Sequence, residues 1–108
     1  MFEIYKDKAG EFRFRLKAKN GQNILASEGY TQKANCLSGV ESVKKNAQSE
    51  EGFELKQGNS GKWMFNLKST NGQVIGTSQT YTDQTGAKNG IKSVMTNAPS
   101  AEVVEVEN

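Results

Sequence analysis

Four basic side chains alternate along one short stretch: Arg13, Arg15, Lys17 and Lys19. On an extended strand, alternate residues share a face about 6–7 Å apart, close to the phosphate spacing of a single nucleic-acid strand. Read functionally, they form a polyanion-binding stripe. Read plainly, they are a solvated outer face, and two features favour that. The corresponding later residues are Met64, Asn66, Lys68 and Thr70, so the stripe is not repeated. The stretch also lacks the set of stacking aromatics that single-strand binders use, although Tyr5 stands near in sequence. Nucleic-acid binding is therefore a second reading, behind a non-enzymatic binding or accessory module with a possible protein partner and ahead of an enzyme with an unrecognised site.

A second group recurs instead of alternating. Ser27 and Tyr30 return as Ser78 and Tyr81. Such pairs could line a small-ligand pocket built from both copies. The plainer expectation is tyrosine rings on the core with their hydroxyls at its edge. Support for catalysis is thin. The chain has no histidine, the commonest acid–base side chain. Its one cysteine, Cys36, falls in an apolar helical stripe and reads as a small core residue. Glu3 and Glu54 repeat as single strand residues, and the acidic run Glu102, Glu105 and Glu107 reads as a solvated edge. No ligand cluster has metal-site spacing, and no stretch has that of a phosphate loop. No catalytic residue, metal or cofactor is expected.

The elements behind these residues come from a duplication. Residues 2–51 align without a gap on residues 53–102, with roughly 20 identities in about 50 pairs, far above chance. In each copy an alternating strand is followed by a turn ending in Gly10 or Gly61. Next comes a strand with one apolar face: Phe12, Phe14, Leu16 and Ala18, or Trp63, Phe65 and Leu67. Period-two alternation marks a half-buried antiparallel strand. Asn20-Gly21 and Asn71-Gly72 then predict type I′ hairpins. In the return strand, Leu25 interrupts the alternation and suggests cover on both sides.

Thr31 and Thr82 are the expected helix N-caps, with Asp83 placed to suit the second helix dipole. Cys36, Leu37, Val40, Val43 and Ala47 form the first helical stripe; Ala87, Gly90, Ile91, Val94, Met95 and Ala98 form the second. Asn46 is the expected left-handed stop, and Pro99 ends the second helix. Gly39 and Gly90 interrupt the two helices at the same place, which suggests close approach of a backbone. A last strand is expected over 101–106.

With 108 residues and a net charge of +2, the chain fits one domain with no strong electrostatic partner. Residues 1–51 hold nine of the 14 basic and seven of the 12 acidic residues. The N-terminal stretch has neither the apolar run nor the cleavage site of a signal peptide, and no stretch approaches the length of a membrane span. A cytoplasmic protein is expected. Because the repeats supply internally what a single-repeat protein would gain by dimerising, a monomer is expected as well.

The paired pattern Gly-x-aromatic-x-Phe-x-Leu-x-x-x-Asn-Gly-Gln-x-Ile-x-x-Ser-x-x-Tyr, with Gly-Val/Ile-x-Ser-Val-x-x-Asn-Ala on each helix, resembles the YegP-like family of small bacterial proteins of unknown function. The resemblance implies an α+β fold. Two β(3)-α-β units would share one largely antiparallel sheet, with both helices on one face, pseudo-twofold symmetry and exchanged C-terminal strands. It implies no activity, cofactor or catalytic residue.

Overall fold

In the computed structural model, which describes residues 1–106, the alternating stretch of each repeat forms the middle strand of a meander. The elements are β1 (Phe2–Lys6), β2 (Phe12–Lys17), β3 (Asn23–Ala26), α1 (Lys33–Asn46), β4 (Phe53–Gln57), β5 (Trp63–Lys68), β6 (Val74–Thr77), α2 (Gln84–Asn97) and β7 (Val103–Glu105). One seven-stranded sheet runs in the order β4-β5-β6-β3-β2-β1-β7. Every neighbouring pair is antiparallel except β1 and β7, which are parallel. The α+β architecture read from the sequence is the one observed, with the helices on one face of a mostly antiparallel sheet.

The repeats meet where β3 pairs with β6, Ala26 opposite Thr77. Each helix reaches across this seam. α1 packs on β2 and on β5 and β6 of the other repeat; α2 packs on β4 and β5 and on β3. The shared core holds Phe2, Phe14, Leu16, Val40 and Val43 from the first repeat and Phe65, Leu67 and Val94 from the second, all fully buried. Phe12 and Trp63, on the apolar strand faces read from the sequence, and Ile91, in the second helical stripe, are only half-buried, as is Phe53.

Four hairpin loops share one geometry. In each, a glycine at a φ of 84° to 87° follows a turn closed by its own N–H: Gly10 to Asp7, Gly21 to Ala18, Gly61 to Gly58 and Gly72 to Ser69. The expected type I′ turns at Asn20-Gly21 and Asn71-Gly72 are therefore absent. That turn needs positive φ at both residues, and here only the glycine has it. Asn20 instead accepts the Gln22 N–H on its own side chain at 3.1 Å. The loop is a turn followed by a glycine bulge, and pairing shifts by one residue beyond Leu16 and beyond Leu67. This shift resolves the irregularity at Leu25. Ile24 and Leu25 both enter the core rather than lying on opposite faces.

Several helix expectations are corrected. α1 starts at Lys33 with Gln32 as its N-cap and no capping side chain, so Thr31 lies one residue too early. α2 is capped by Asp83, whose carboxylate accepts the Gly86 N–H at 2.7 Å; Thr82 does not cap it. Asn46 stays helical and donates its amide to the Ser42 carbonyl at 2.8 Å, so it is not a left-handed stop. Leu37 is 38 % exposed, because the buried stripe of α1 is narrower and runs through Cys36, Gly39, Val40 and Val43. The group that approaches Gly39 closely is no backbone. A methyl there would stand 2.7 Å from the Tyr30 hydroxyl oxygen and 3.0 Å from the Phe14 ring.

The seam breaks the twofold symmetry most sharply in side-chain size at Leu25. Leu25 and Gly76 are equivalent positions, and a Cβ on Gly76 would lie 2.6 Å from a Leu25 methyl and 2.7 Å from its Cγ. One copy supplies the knob and the other the hole. Gly76→Leu should therefore destabilise the protein by about 1–3 kcal/mol through overpacking, and adding Leu25→Gly should recover part of that loss. Urea unfolding of the single and double variants would check it; additive losses would show that the two residues do not share one space.

Candidate functional site

The recurrent serines sit where the return strands end. The Ser27 hydroxyl accepts the Phe14 N–H at 2.9 Å and donates to the Glu28 carbonyl at 2.8 Å. Ser78 does the same with Phe65 and Gln79, at 2.9 and 2.7 Å. A serine side chain thus continues the ladder past the last regular pair. Three residues on, Tyr30 rejoins the sheet by exchanging two backbone hydrogen bonds with Phe12, and Tyr81 does so with Trp63. The Tyr30 ring stacks on Phe14 at 6.5 Å between centroids, and Tyr81 stacks on Phe65 at 6.3 Å. Each hydroxyl tucks against the helix glycine, Gly39 or Gly90. Burial raises the Tyr30 hydroxyl pKa. These four side chains do not converge on one cavity. Tyr81 lines a cleft of about 200 Å³ with Ile24, Asn89 and Gly90, and Ser27, Tyr30 and Ser78 are not among its walls.

The basic stripe lies on the face opposite the helices, but it does not stand alone. Arg13 Nε donates to Asp7 and Arg15 Nε to Glu3, both at 2.7 Å. Lys17 Nζ is 3.4 Å from the same Glu3. Arg15 also lies over the Tyr5 ring, 4.5 Å from its centroid, a cation–π contact that the stripe alone does not reveal. Lys19 is apart from these, exposed in the turn beyond the end of β2. In the second repeat, Glu54 holds Lys68 at 3.2 Å and Lys56 at 3.4 Å. The acids opposite the stripe, Glu3 in β1 and Asp7 in the turn, become its partners only through strand pairing.

The remaining chemistry-bearing residues are spread out. Cys36 is fully buried in the core, and burial raises its thiol pKa. Glu105 pairs with Lys33 of α1, and the Glu102 carbonyl accepts the Phe2 N–H at 2.7 Å. Glu107 lies outside the described residues. Among the described residues no three His, Cys, Asp or Glu side chains form a group that could hold a metal ion, and no helix is long and apolar enough to cross a membrane.

Two predictions follow from these contacts. Ser27→Ala leaves the buried Phe14 N–H without its acceptor and should cost about 1–3 kcal/mol. Equal stability of the variant in urea would show that the hydroxyl is dispensable. The second concerns acid. The Arg15 guanidinium, with Lys17, holds the Glu3 carboxyl below its ordinary value, and Arg13 with the Glu11 N–H does the same for Asp7. A carboxylate lowered by folding contributes stability above its unfolded pKa, and that contribution disappears as pH falls through the folded value. Stability should thus decline as pH drops through and below the ordinary carboxylate range, and less steeply in Glu3→Gln. An unchanged pH profile in that variant would remove Glu3 from the account.

Comparison with known proteins places this architecture. The family described as a domain of unknown function, DUF1508, matches residues 7–54 and again 58–105. A UPF0339 protein from the ptx operon 5′ region of Stutzerimonas stutzeri is 62 % identical over 99 % of this chain and 96 % of its own length. The UPF0339 protein YegP of Escherichia coli K12 is 45 % identical over 94 % of this chain and 93 % of its own. The solution structure of yegP from E. coli, described as a protein of unknown function, superposes with a TM-score of 0.93 at 43 % identity, covering 99 % of this chain and 92 % of that one. A UPF0339 protein of Shewanella oneidensis gives 0.92 at 40 %, covering 98 % and 90 %. The chain therefore belongs to the DUF1508 family, the YegP-like proteins of unknown function, and carries its domain twice.

Proposed function

We infer that this protein is a non-enzymatic binding module, monomeric and cytoplasmic, whose open sheet face meets a protein partner. The supporting observation is the division of labour between the two sets of polar residues. Those the repeats share, Ser27 with Ser78 and Tyr30 with Tyr81, are engaged in the fold itself. Those on the open face are kept only in part: Glu3 and Lys17 return as Glu54 and Lys68, whereas Arg13 and Arg15 give way to Met64 and Asn66. One row crosses the sheet through paired residues, from Glu3 to Arg15, Ala26, Thr77, Asn66 and Glu54. Its centre is small and uncharged, and a carboxylate stands near either end. An uncharged centre between charged margins suits a protein surface, since a charged rim around a less polar centre is the common anatomy of an interface.

Polyanion binding through Arg13, Arg15, Lys17 and Lys19 is the second reading, favoured by the stacking of Arg15 on Tyr5. Phosphates would have to displace Asp7 and Glu3 from the guanidinium groups. That reading therefore makes its own demand: Glu3→Gln with Asp7→Asn should strengthen single-stranded DNA or RNA binding, and salt should abolish it.

The test is affinity capture from a bacterial lysate alongside NMR titration of the labelled protein. The expected outcome is a protein recovered by the wild type and weakened at least about tenfold by Ala26→Arg with Thr77→Arg, with no salt-sensitive shifts from nucleic acid. Capture indifferent to that double substitution would remove the open face from the proposal. Shifts at Arg13 to Lys19 that disappear in salt would install the second reading. A dominant dimer by sedimentation at micromolar concentration would overturn the monomer.

A further inference from the structure

Seven strands cannot be paired off by a twofold axis. The axis lies between β3 and β6, so β4, β5 and β6 match β1, β2 and β3, and β7 is the odd strand. β7 lies outside β1, parallel to it, with Phe2, Glu3 and Ile4 opposite Val103, Val104 and Glu105. The mirrored lane, outside β4, holds no strand among the described residues.

The two flanks differ accordingly. On the β7 flank, Phe2 and Ile4 are 0 % and 2 % exposed, and Val40 of α1 is fully buried. Their counterparts Phe53, Leu55 and Ile91 are all half-buried. They line an open cleft of about 320 Å³ between β4 and α2, with Lys88 and Lys92 along its helix side and Glu50 at its rim. The backbone differs in the same way. The Ile4 carbonyl accepts the Val106 N–H at 2.9 Å. Leu55 holds the position of Ile4 in the repeat register, so it turns its own backbone groups to the open lane. An exposed strand edge beside an apolar cleft is the geometry of strand addition.

We propose that the β4 edge is a docking site for an extended segment of a partner protein in which apolar and acidic residues are interspersed. β7 itself shows the chemistry required. It offers a valine opposite Phe2 and an acid, Glu105, to a helix lysine, Lys33. At the β4 flank the helix again presents lysines, Lys88 and Lys92, where α1 has Leu37 and Glu41. The cleft thus supplies both the apolar floor and the opposite charge. A second copy of this chain is a poorer occupant, because lending its β7 would uncover its own Phe2 and Ile4. The site is at the sheet edge, not on the open face, so it stands or falls independently of the reading above.

The test is an NMR titration of the labelled full chain with acetyl-Ala-Glu-Val-Val-Glu-Val-amide, and with the same peptide carrying lysine for glutamate. The acidic peptide should shift the amides of Leu55, Lys56, Gln57 and Ile91 and bind at least tenfold more tightly than the basic one. Lys88→Glu with Lys92→Glu, two exposed positions on α2, should reverse that preference while leaving the circular dichroism unchanged. Absence of shifts at millimolar peptide, or equal affinity for both peptides, would overturn the proposal. So would self-association in sedimentation that Leu55→Pro abolishes, since the edge would then belong to a second copy.

Discussion

Each helix has to bury its apolar stripe, and neither can do so on its own three strands. Repeats of about fifty residues are near the size at which a core becomes marginal. The structure meets this constraint by laying α1 on β2, β5 and β6, and α2 on β3, β4 and β5. Both helices therefore hold the seam closed from above, while β3 and β6 make only a short pairing beneath them. Remove the helices and little would join the halves. This crossing also explains why the shared residues are where they are. Gly39 and Gly90 let a tyrosine hydroxyl in under each helix, and each tyrosine stacks on the buried phenylalanine of its own repeat. Ring, glycine and helix are one contact made twice.

Fusion of the repeats permits what a symmetric dimer cannot have. Two leucines at position 25 and its equivalent would contest one space on the axis. A single chain places leucine in one copy and glycine in the other. The outer face carries the same freedom further. Its acids, Glu3 and Glu54, are kept in both copies, but three basic side chains gather near the first end, Arg13, Arg15 and Lys17, and two near the second, Lys56 and Lys68. Most of that charge is matched locally. Its effect on a distant polyanion is reduced by the carboxylates already in contact with it, while its effect on a surface pressed directly against it is not.

The odd strand is the other departure from symmetry. β7 completes one flank and leaves the other as an edge, so the two ends of the sheet are chemically distinct although the repeats that build them are alike. Burial follows at once: Phe2 is fully buried and Phe53 only half-buried.

The sequence by itself determined the duplication, the strand–strand–strand–helix order, and the buried faces of β2 and β5, because these rest on local period and on residue identity a fixed distance apart. It also determined that a turn falls at each Asn-Gly. It could not choose the turn type, since the bulge depends on how the flanking strands pair and twist. Nor could it place the N-cap of α1, where no side chain bonds the free N–H groups and so no capping residue marks the start. Ser27 and Tyr30 were visible as repeated residues, but their work was not. A hydroxyl that accepts the N–H of a residue thirteen positions back, and a ring that stacks on a neighbouring strand, are decided only when the strands are side by side. The same holds for the basic stripe. Its alternation is local, whereas its neutralisation by Glu3 and Asp7 comes from the register between strands. Charge in a sequence is additive along the chain, but in the sheet it is the neighbour across the ladder that decides what is left exposed.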